Sequence, residues 1–189
     1  MGRGKNKGSG GERDMARRFS LWWTYGERDD VFWRTPGSGS RATVRTKLDK
    51  TTSSSYGDLT SLDPVGDPLI QCCTFEIKTG YNNTQILICI DGKGKKYELI
   101  QFLNQVKKDA SDAGNIPILV VNRDYMRPTI FMPRNLFNDL SGYCGDFLGR
   151  IAGLRLDKNE TWAIMTLDDF FNWVNPQYFI NKMKIKKDA

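Results

Sequence analysis

The chain has 189 residues, of which 39% are hydrophobic and 12% aromatic, and it contains no histidine. This length and composition indicate one folded globular domain and exclude a disordered chain. The lack of histidine excludes Ser-His-Asp hydrolases, zinc peptidases and any reaction that depends on a histidine general base. No apolar run reaches the length of a membrane span, so we expect a cytoplasmic protein without a membrane partner.

The net charge of +6 is concentrated in the N-terminal part of the chain. Residues 1–50 hold 12 Lys and Arg against 6 Asp and Glu, whereas the remaining 139 residues hold 16 of each. Such a surplus predicts contact with a polyanion such as nucleic acid, and a solubilising basic tail is the simpler alternative. Residues 1–11 are Gly-rich and predict a flexible basic arm in which Arg3, Lys5 and Lys7 reach phosphates.

The first predicted helix starts at Glu12. Apolar residues recur there with helical spacing at Met15, Phe19, Trp22 and Trp23. Glu12, in the first turn, either compensates the helix dipole or reaches inward as an active-site carboxylate. Arg13 and Arg17 lie beside it in the sequence and are predicted to contact DNA.

A short strand is predicted at Asp30–Arg34, and a Gly/Ser loop with the sequence T-P-G-S-G-S-R follows at residues 35–41. The loop is either a surface turn or a phosphate contact formed by backbone N–H groups, hydroxyls and guanidiniums. The side chains that would make this contact are Ser38, Ser40, Arg34 and Arg41.

Two carboxylates and a lysine follow. Gly57-Asp58 predicts a turn, and the β-forming run Leu69–Lys78 predicts a central strand. Alternate side chains of a strand share a face, so Glu76 and Lys78 point the same way. Together with Asp58 from a neighbouring strand, they make a minimal site for Mg²⁺ and a phosphodiester.

The order of these motifs resembles the PD-(D/E)XK nucleases. Asp58 and Glu76-Ile77-Lys78 match the signature of that superfamily, with Gly57 where its members usually have proline. The motifs K-G-x-G-x-E-R-D at residues 7–14 and R-x-P-G-S-G-S at residues 34–40 are similar to those of the archaeal Holliday junction resolvases. The spacer at residues 43–56 departs from that branch, because it is longer and rich in Ser and Thr.

The resemblance implies roles for the motif residues. Glu12, Asp58, Glu76 and Lys78 would be catalytic. Asp58, Glu76 and the backbone carbonyl of Ile77 would bind Mg²⁺, for which Mn²⁺ substitutes, while Glu12 would stand behind them or complete a second metal site. Lys78 would position the attacking water, which leaves 5′-phosphate and 3′-hydroxyl ends. By the same resemblance the protein would be a homodimer that cleaves branched DNA in recombination and repair.

Two other functions fit the same residues. One is a restriction-type or repair nuclease of the same fold, because substrate selectivity depends on surface shape. The other is a catalytically inert DNA-binding module, in which Glu12, Asp58, Glu76 and Lys78 would not converge. The small size and the basic arm also suit a phage protein, which would act in the cytoplasm of the host cell.

The remaining elements follow from periodicity and turn signals. Strands are predicted at Gln85–Ile90 and Ile118–Asn122, with an edge strand at Pro128–Met132, because proline cannot donate to a ladder. A long amphipathic helix is predicted at Lys96–Ala113, and Gly114 ends it. The last predicted elements are a helix and Gly-rich loop at 133–149, a hairpin of Leu154 with Trp162–Met165, and helices that start at Thr166 and Asn175-Pro176.

This order predicts an α/β protein with a restriction-endonuclease-like core, in which a mixed β-sheet is flanked by helices. We expect the flexible arm at 1–11, the nuclease core at 12–132 and a small C-terminal α/β extension packed on the core at 133–189. The four cysteines lack metal-site spacing and are predicted to be reduced thiols.

Overall fold

The computed structural model of the protein describes residues 3–35, 56–81, 98–156 and 158–188, with side chains from Gly10 to Ile185. The predicted strand Gln85–Ile90 lies outside these residues, as does Cys89. Among the described residues, Cys72, Cys73 and Cys144 form no disulfide. Among the helices that the structure describes, none is long and apolar enough to span a membrane.

A five-stranded mixed sheet organises the described residues, with a separate two-stranded sheet beside it. The large sheet has the order β3-β4-β5-β7-β6, in which β3 and β4 are parallel and the other neighbours antiparallel. The small sheet pairs β1 with β2. This α/β architecture confirms the predicted fold class. The elements in chain order are α1 Arg3–Trp23, β1 Phe32–Arg34, β2 Leu59–Ser61, α2 Asp67–Cys72, β3 Cys73–Thr79, α3 Glu98–Ala113, β4 Ile116–Asn122, β5 Thr129–Pro133, α4 Arg134–Cys144, β6 Ala152–Arg155, β7 Thr161–Thr166, α5 Leu167–Trp173 and α6 Gln177–Asp188.

Strand β3 is shorter than predicted, and it is not central in the described sheet. The residues before Cys73 form helix α2, because Asp67 and Pro68 supply an acidic first turn and a fixed φ at the first helical positions. Leu69 is then buried on a helix and not on a strand. Within the described residues β3 lies at one end of the five strands.

Strand β5 corrects a second prediction. It pairs with β4 on one side and with β7 on the other, so it is not an edge strand. The prolines that suggested an edge lie at its limits, because Pro128 precedes the strand and Pro133 ends it. Neither interrupts the ladder between Thr129 and Met132, so both neighbours can pair.

Both faces of the sheet are covered. Helix α3 packs on one face, and its buried residues are the five on its predicted apolar side: Leu99, Phe102, Leu103, Val106 and Ala110. Its end is the predicted one, at Gly114 with φ +68°. Leu119 and Phe131 point to this side, whereas Val120 and Ile130 point to the other. That second face is covered by α1 and by the C-terminal helices.

Helix α1 begins at Arg3, so it includes residues that were predicted as a flexible arm. Helix propagation adds one hydrogen bond for each further residue, so a well-packed helix extends into a sequence of low propensity. Its apolar side is buried as predicted at Met15, Phe19, Trp22 and Trp23. The Phe19 ring lies 5.0 Å from that of Phe75 in β3 and 5.1 Å from that of Phe171 in α5.

The C-terminal segment 133–189 belongs to the same sheet as the core. Its hairpin, confirmed as β6 and β7, joins the sheet through β7 beside β5. Side chains cap the starts of the last two helices, because Thr166 Oγ1 accepts a hydrogen bond from Asp169 N and Asn175 Oδ1 accepts one from Gln177 N. Trp22 Nε1 in α1 donates to Val174 O at 2.9 Å, which ties the first helix to the last part of the chain.

Candidate active site

Asp58 is held against β3 by main-chain hydrogen bonds. Its N–H donates to Phe75 O at 2.6 Å, and its Oδ2 accepts from Ile77 N at 2.8 Å. Gly57 makes this approach possible, because it has φ +81° and a Cβ there would lie 2.5 Å from Phe75 O. The buried Asp58 carboxylate therefore sits level with Glu76.

Glu76 and Lys78 share one face of β3, as the alternation predicts. Glu76 is 3% exposed, and Lys78 Nζ donates a hydrogen bond to Glu76 Oε1. Lys78 Nζ also donates to Gln105 Oε1 at 3.1 Å, while Gln105 Nε2 donates to Glu76 Oε1 at 2.7 Å. The ammonium lies 5.1 Å from the centre of the Phe102 ring. The amine thus lies beside the carboxylate and not in the apolar interior.

Glu12 comes to this region from the first helix. Gly11 packs so closely on β3 that a Cβ there would overlap the side chain of Thr79. This contact brings the next residue, Glu12, to the C-terminal end of β3. Glu12 Oε2 lies 3.3 Å from Arg34 Nε, yet this buried oxygen has no hydrogen-bond partner among the described residues.

Burial and the charge of Asp58 raise the pKa of two neighbouring acids. Burial, followed by the charge of Asp58, raises the pKa of Glu76 to about 7, although Lys78 opposes the shift. Burial and then Asp58 also raise the pKa of Glu12, while Arg34 and Lys78 lower it. Two acids therefore respond to the same Asp58 carboxylate, and the positive charges of Lys78 and Arg34 do not fully offset the shifts. A divalent cation would supply further positive charge.

The donor chemistry fits a hard cation. Mg²⁺ binds oxygen, often through one or two carboxylates with water and phosphate as further ligands. Within the described residues, hydrogen bonds use one oxygen of each carboxylate, Oδ2 of Asp58 and Oε1 of Glu76. Two further buried oxygens there, Thr35 Oγ1 and Thr79 Oγ1, also have no hydrogen-bond partner among the described residues.

The fit extends to two carboxylates and not to three. Within residues 3–35, 56–81, 98–156 and 158–188, no group of three or more His, Cys, Asp or Glu side chains is placed to hold a metal ion. The structure brings together Asp58, Glu76 and Lys78 through hydrogen bonds along β3. Glu12 interacts with them through its charge and is not part of a three-acid ligand set.

The predicted DNA-contacting residues are spread over several positions. Arg13 is exposed on α1, and Arg17 pairs with Asp29 at 2.9 Å. Arg34 faces Glu12 and so lies at the edge of the acidic site. The side chains of the other six predicted contacts are outside the described residues: Arg3, Lys5, Lys7, Ser38, Ser40 and Arg41.

Two polar residues of α3 near the site were not predicted from the sequence. Gln105 links Lys78 to Glu76, and Asp109 follows it one helical turn later. Burial raises the pKa of Asp109, and Asp112 and then Asp58 add to the shift, which brings Asp109 within the electrostatic reach of the site. A signal was present, because both flank the apolar face that packs α3 on the sheet.

A cleft of about 860 Å³ lies away from the carboxylates. Aromatic side chains form much of its wall: Trp22, Tyr25, Tyr143, Phe171 and Trp173. Trp22 lies ten residues after Glu12, which corresponds to about 15 Å along α1. Asp58, Glu76 and Lys78 are not among the residues that line the cleft, so this cleft is separate from the candidate site.

Most of the chain matches one protein family. Residues 3–181 match a family described as "Phage putative PDDEXK endonuclease". Neither the curated proteins nor the solved structures include a match to the chain. The family match spans both the motif region and the C-terminal segment, and it confirms the resemblance to the PD-(D/E)XK nucleases. The chain therefore belongs to this family of phage PDDEXK endonucleases.

Proposed function

We propose that the protein is a Mg²⁺-dependent endodeoxyribonuclease that hydrolyses phosphodiester bonds of branched DNA as a homodimer. One observation carries the catalytic part of this proposal: Asp58, Glu76 and Lys78 meet at the C-terminal half of β3, joined by hydrogen bonds to Ile77 N and Glu76 Oε1. An inert DNA-binding module would have no reason to bury two carboxylates side by side at a stability cost.

The cation would be held by the carboxylates of Asp58 and Glu76 and by the backbone carbonyl of Ile77. Mn²⁺ would substitute, because it accepts the same oxygen ligands. When bound, the cation neutralises charge on the scissile phosphate and lowers the pKa of water. Glu12 would either support these ligands through its charge or contribute to a second cation site.

Lys78 would orient the attacking water and offset charge on the phosphate in the transition state. Its ammonium is anchored by Glu76 and Gln105, so its position depends on two acceptors and not on a single flexible contact. Such anchoring holds the amine near the geometry that the reaction needs and reduces the entropy lost on reaching it. In-line attack would leave 5′-phosphate and 3′-hydroxyl ends.

The preference for branched DNA rests on the motif order shared with junction resolvases. A four-way junction needs two symmetric cuts, and a two-fold homodimer supplies two sites in a fixed relation. The surplus positive charge of residues 1–50 would contribute to binding the phosphate backbone. The residues proposed to contact DNA are Arg3, Lys5, Lys7, Arg13, Arg17, Arg34, Ser38, Ser40 and Arg41.

The substitution Asp58→Asn tests the proposal. Asparagine keeps an oxygen that can accept the Ile77 N–H bond but loses the charge, so the fold should persist while cleavage falls by more than about a hundredfold. Purified wild type, Asp58→Asn and the exposed-site control Asp146→Asn are incubated with four-way junction, nicked and linear DNA, with Mg²⁺ and with chelator. Full Mg²⁺-dependent cleavage by Asp58→Asn would reject the assignment, and equal cleavage of all three DNAs would reject the branched-DNA preference.

A further inference from the structure

The turn between β4 and β5 presents an aromatic residue to solvent. Residues 123–128 have the sequence R-D-Y-M-R-P. Tyr125 is fully exposed, at 106% of its reference area, and the neighbouring Met126 is 59% exposed. Large side chains side by side at a hairpin tip contribute nothing to the core and are available to contact another molecule.

The tip lies at the same edge of the sheet as the candidate active site. Strands β3 and β4 are parallel, and Lys78 pairs in register with Val121. Gly80 N donates to Asn122 O at 3.0 Å, so the two strands remain joined where the turn begins. Neighbouring strands are about 4.8 Å apart, and Tyr125 lies four residues beyond Val121. A DNA strand bound at Lys78 would therefore pass close to the tip.

The tip is rigidly supported. Met126 N donates to Arg123 O at 3.2 Å and closes the turn, and Leu167 N donates to Pro128 O at 2.8 Å at its base. Tyr125 has φ +61°, a left-handed conformation that favours glycine or asparagine over an aromatic residue. Tyr25 is the other non-glycine residue of the described chain with positive φ, at +56°, but it lies just past the end of α1, away from this edge of the sheet.

The chemistry of the tip favours nucleic acid over a protein partner. Aromatic rings stack on bases, and apolar side chains inserted between base steps open them. Arg127, also exposed, offers a guanidinium to a phosphate next to the tip. A stable protein interface buries about 800 Å² per partner, which is far more than one tyrosine and one methionine supply.

We propose that turn 123–128 is a base-stacking wedge, in which Tyr125, with Met126 beside it, stacks on an unpaired or opened base step next to the cleaved phosphate. This inference rests on the proposed nuclease function and adds a device for recognising branches. Bases at a branch point are already partly unstacked, so the wedge would contribute more to binding branched DNA than to binding linear duplex.

The test uses the cleavage-deficient Asp58→Asn protein, so that binding is measured without cleavage. Tyr125→Gly removes the ring and keeps a residue that adopts φ +61° without strain, whereas Tyr125→Phe and Tyr125→Trp keep a stacking ring. The probe is a four-way junction with 2-aminopurine beside the branch point, compared with a linear duplex of the same sequence. Binding is followed by titration, base unstacking by 2-aminopurine fluorescence, and folding by thermal denaturation.

We expect Tyr125→Gly to bind the junction about tenfold more weakly and to lose most of the fluorescence change, with duplex binding and thermal stability unchanged. Phe and Trp should restore both signals. The wedge would be overturned by an unchanged affinity for the junction or by an equal loss of affinity for junction and duplex. It would also be overturned if the substitution weakened only self-association in sedimentation. If wild-type protein with Mg²⁺ cleaves no DNA while the ring-dependent fluorescence persists, the nuclease proposal alone is refuted, and a protein that binds no DNA refutes both.

Discussion

Replacing Glu76 with glutamine removes a carboxylate that the fold buries beside another carboxylate. Glu76 is 3% exposed, and burial together with Asp58 raises its pKa from the ordinary 4.5 to about 7. A rise of the pKa from 4.5 to about 7 corresponds to about 3 kcal/mol of folding free energy. The ion pair with Lys78 is already included, because it lowers the same pKa.

The sign of this effect follows from the direction of the shift. A carboxyl whose pKa is higher in the folded than in the unfolded chain binds its proton more tightly when folded. The favourable contribution of Glu76 to the free energy of unfolding is complete below about pH 4.5, and it is lost as the pH rises through about 7. Above that pH, the charged Glu76 destabilises the metal-free protein by about 3 kcal/mol. Glutamine has no charge to bury, so Glu76→Gln should be the more stable protein at pH 8.5 and about equal at pH 4.5.

The assay is urea and thermal denaturation in chelator at pH 4.5 and 8.5. For a chain of this length, 3 kcal/mol corresponds to about 6–12 °C in Tm. Glu27→Gln makes the same substitution at an exposed position and should show no pH-dependent difference from wild type. Adding Mg²⁺ at pH 8.5 should raise the Tm of wild type and not that of Glu76→Gln, because only the former keeps the carboxylate. A stability difference that is the same at both pH values would refute the reasoning.

Two further substitutions test the scaffold and the lysine anchor. In urea denaturation, Gly57→Ala should destabilise the protein by about 1–3 kcal/mol or more, because the new Cβ combines φ +81° with a 2.5 Å clash. Gly114→Ala is the control: it shares the positive φ but has open space around it, so it should destabilise the protein less. Equal costs would contradict the close approach at Gly57. Gln105→Ala should lower kcat about tenfold to a hundredfold with DNA binding unchanged, since it frees Lys78 from one of its two acceptors. The exposed Gln101→Ala on the same helix is the control, and equal kcat for both variants would refute the anchoring role.

Local patterns predicted the elements whose structure depends on nearby residues. The apolar face of α3 was complete in the sequence, because a helix that packs on a sheet needs apolar residues at every third or fourth position. The end of that helix at Gly114 and the cap at Thr166 followed from backbone requirements that few residue types satisfy. The strand alternation that places Glu76 and Lys78 on one face is of the same local kind.

These local patterns could not predict properties that depend on strand order. The position of β5 inside the sheet depends on β7, which comes about 30 residues later in the chain. Prolines at both ends of β5 looked the same in sequence whether the strand was internal or at an edge. Gln105 was missed for a related reason, because its contact with Lys78 exists only once α3 has docked across β3.

The geometry of the site depends more on the main chain than on its charged side chains. Asp58 is positioned by its own N–H on Phe75 O and by Ile77 N on its carboxylate, and both bonds require Gly57 to let the two segments approach. Gly57 therefore meets a steric requirement, and Asp58 beside it meets a chemical one. Neutral replacements of the carboxylates should leave this frame intact, whereas Gly57, which has no reactive group, should tolerate no side chain. Folding and chemistry at this site can therefore be separated by substitution, since different neighbouring residues carry them.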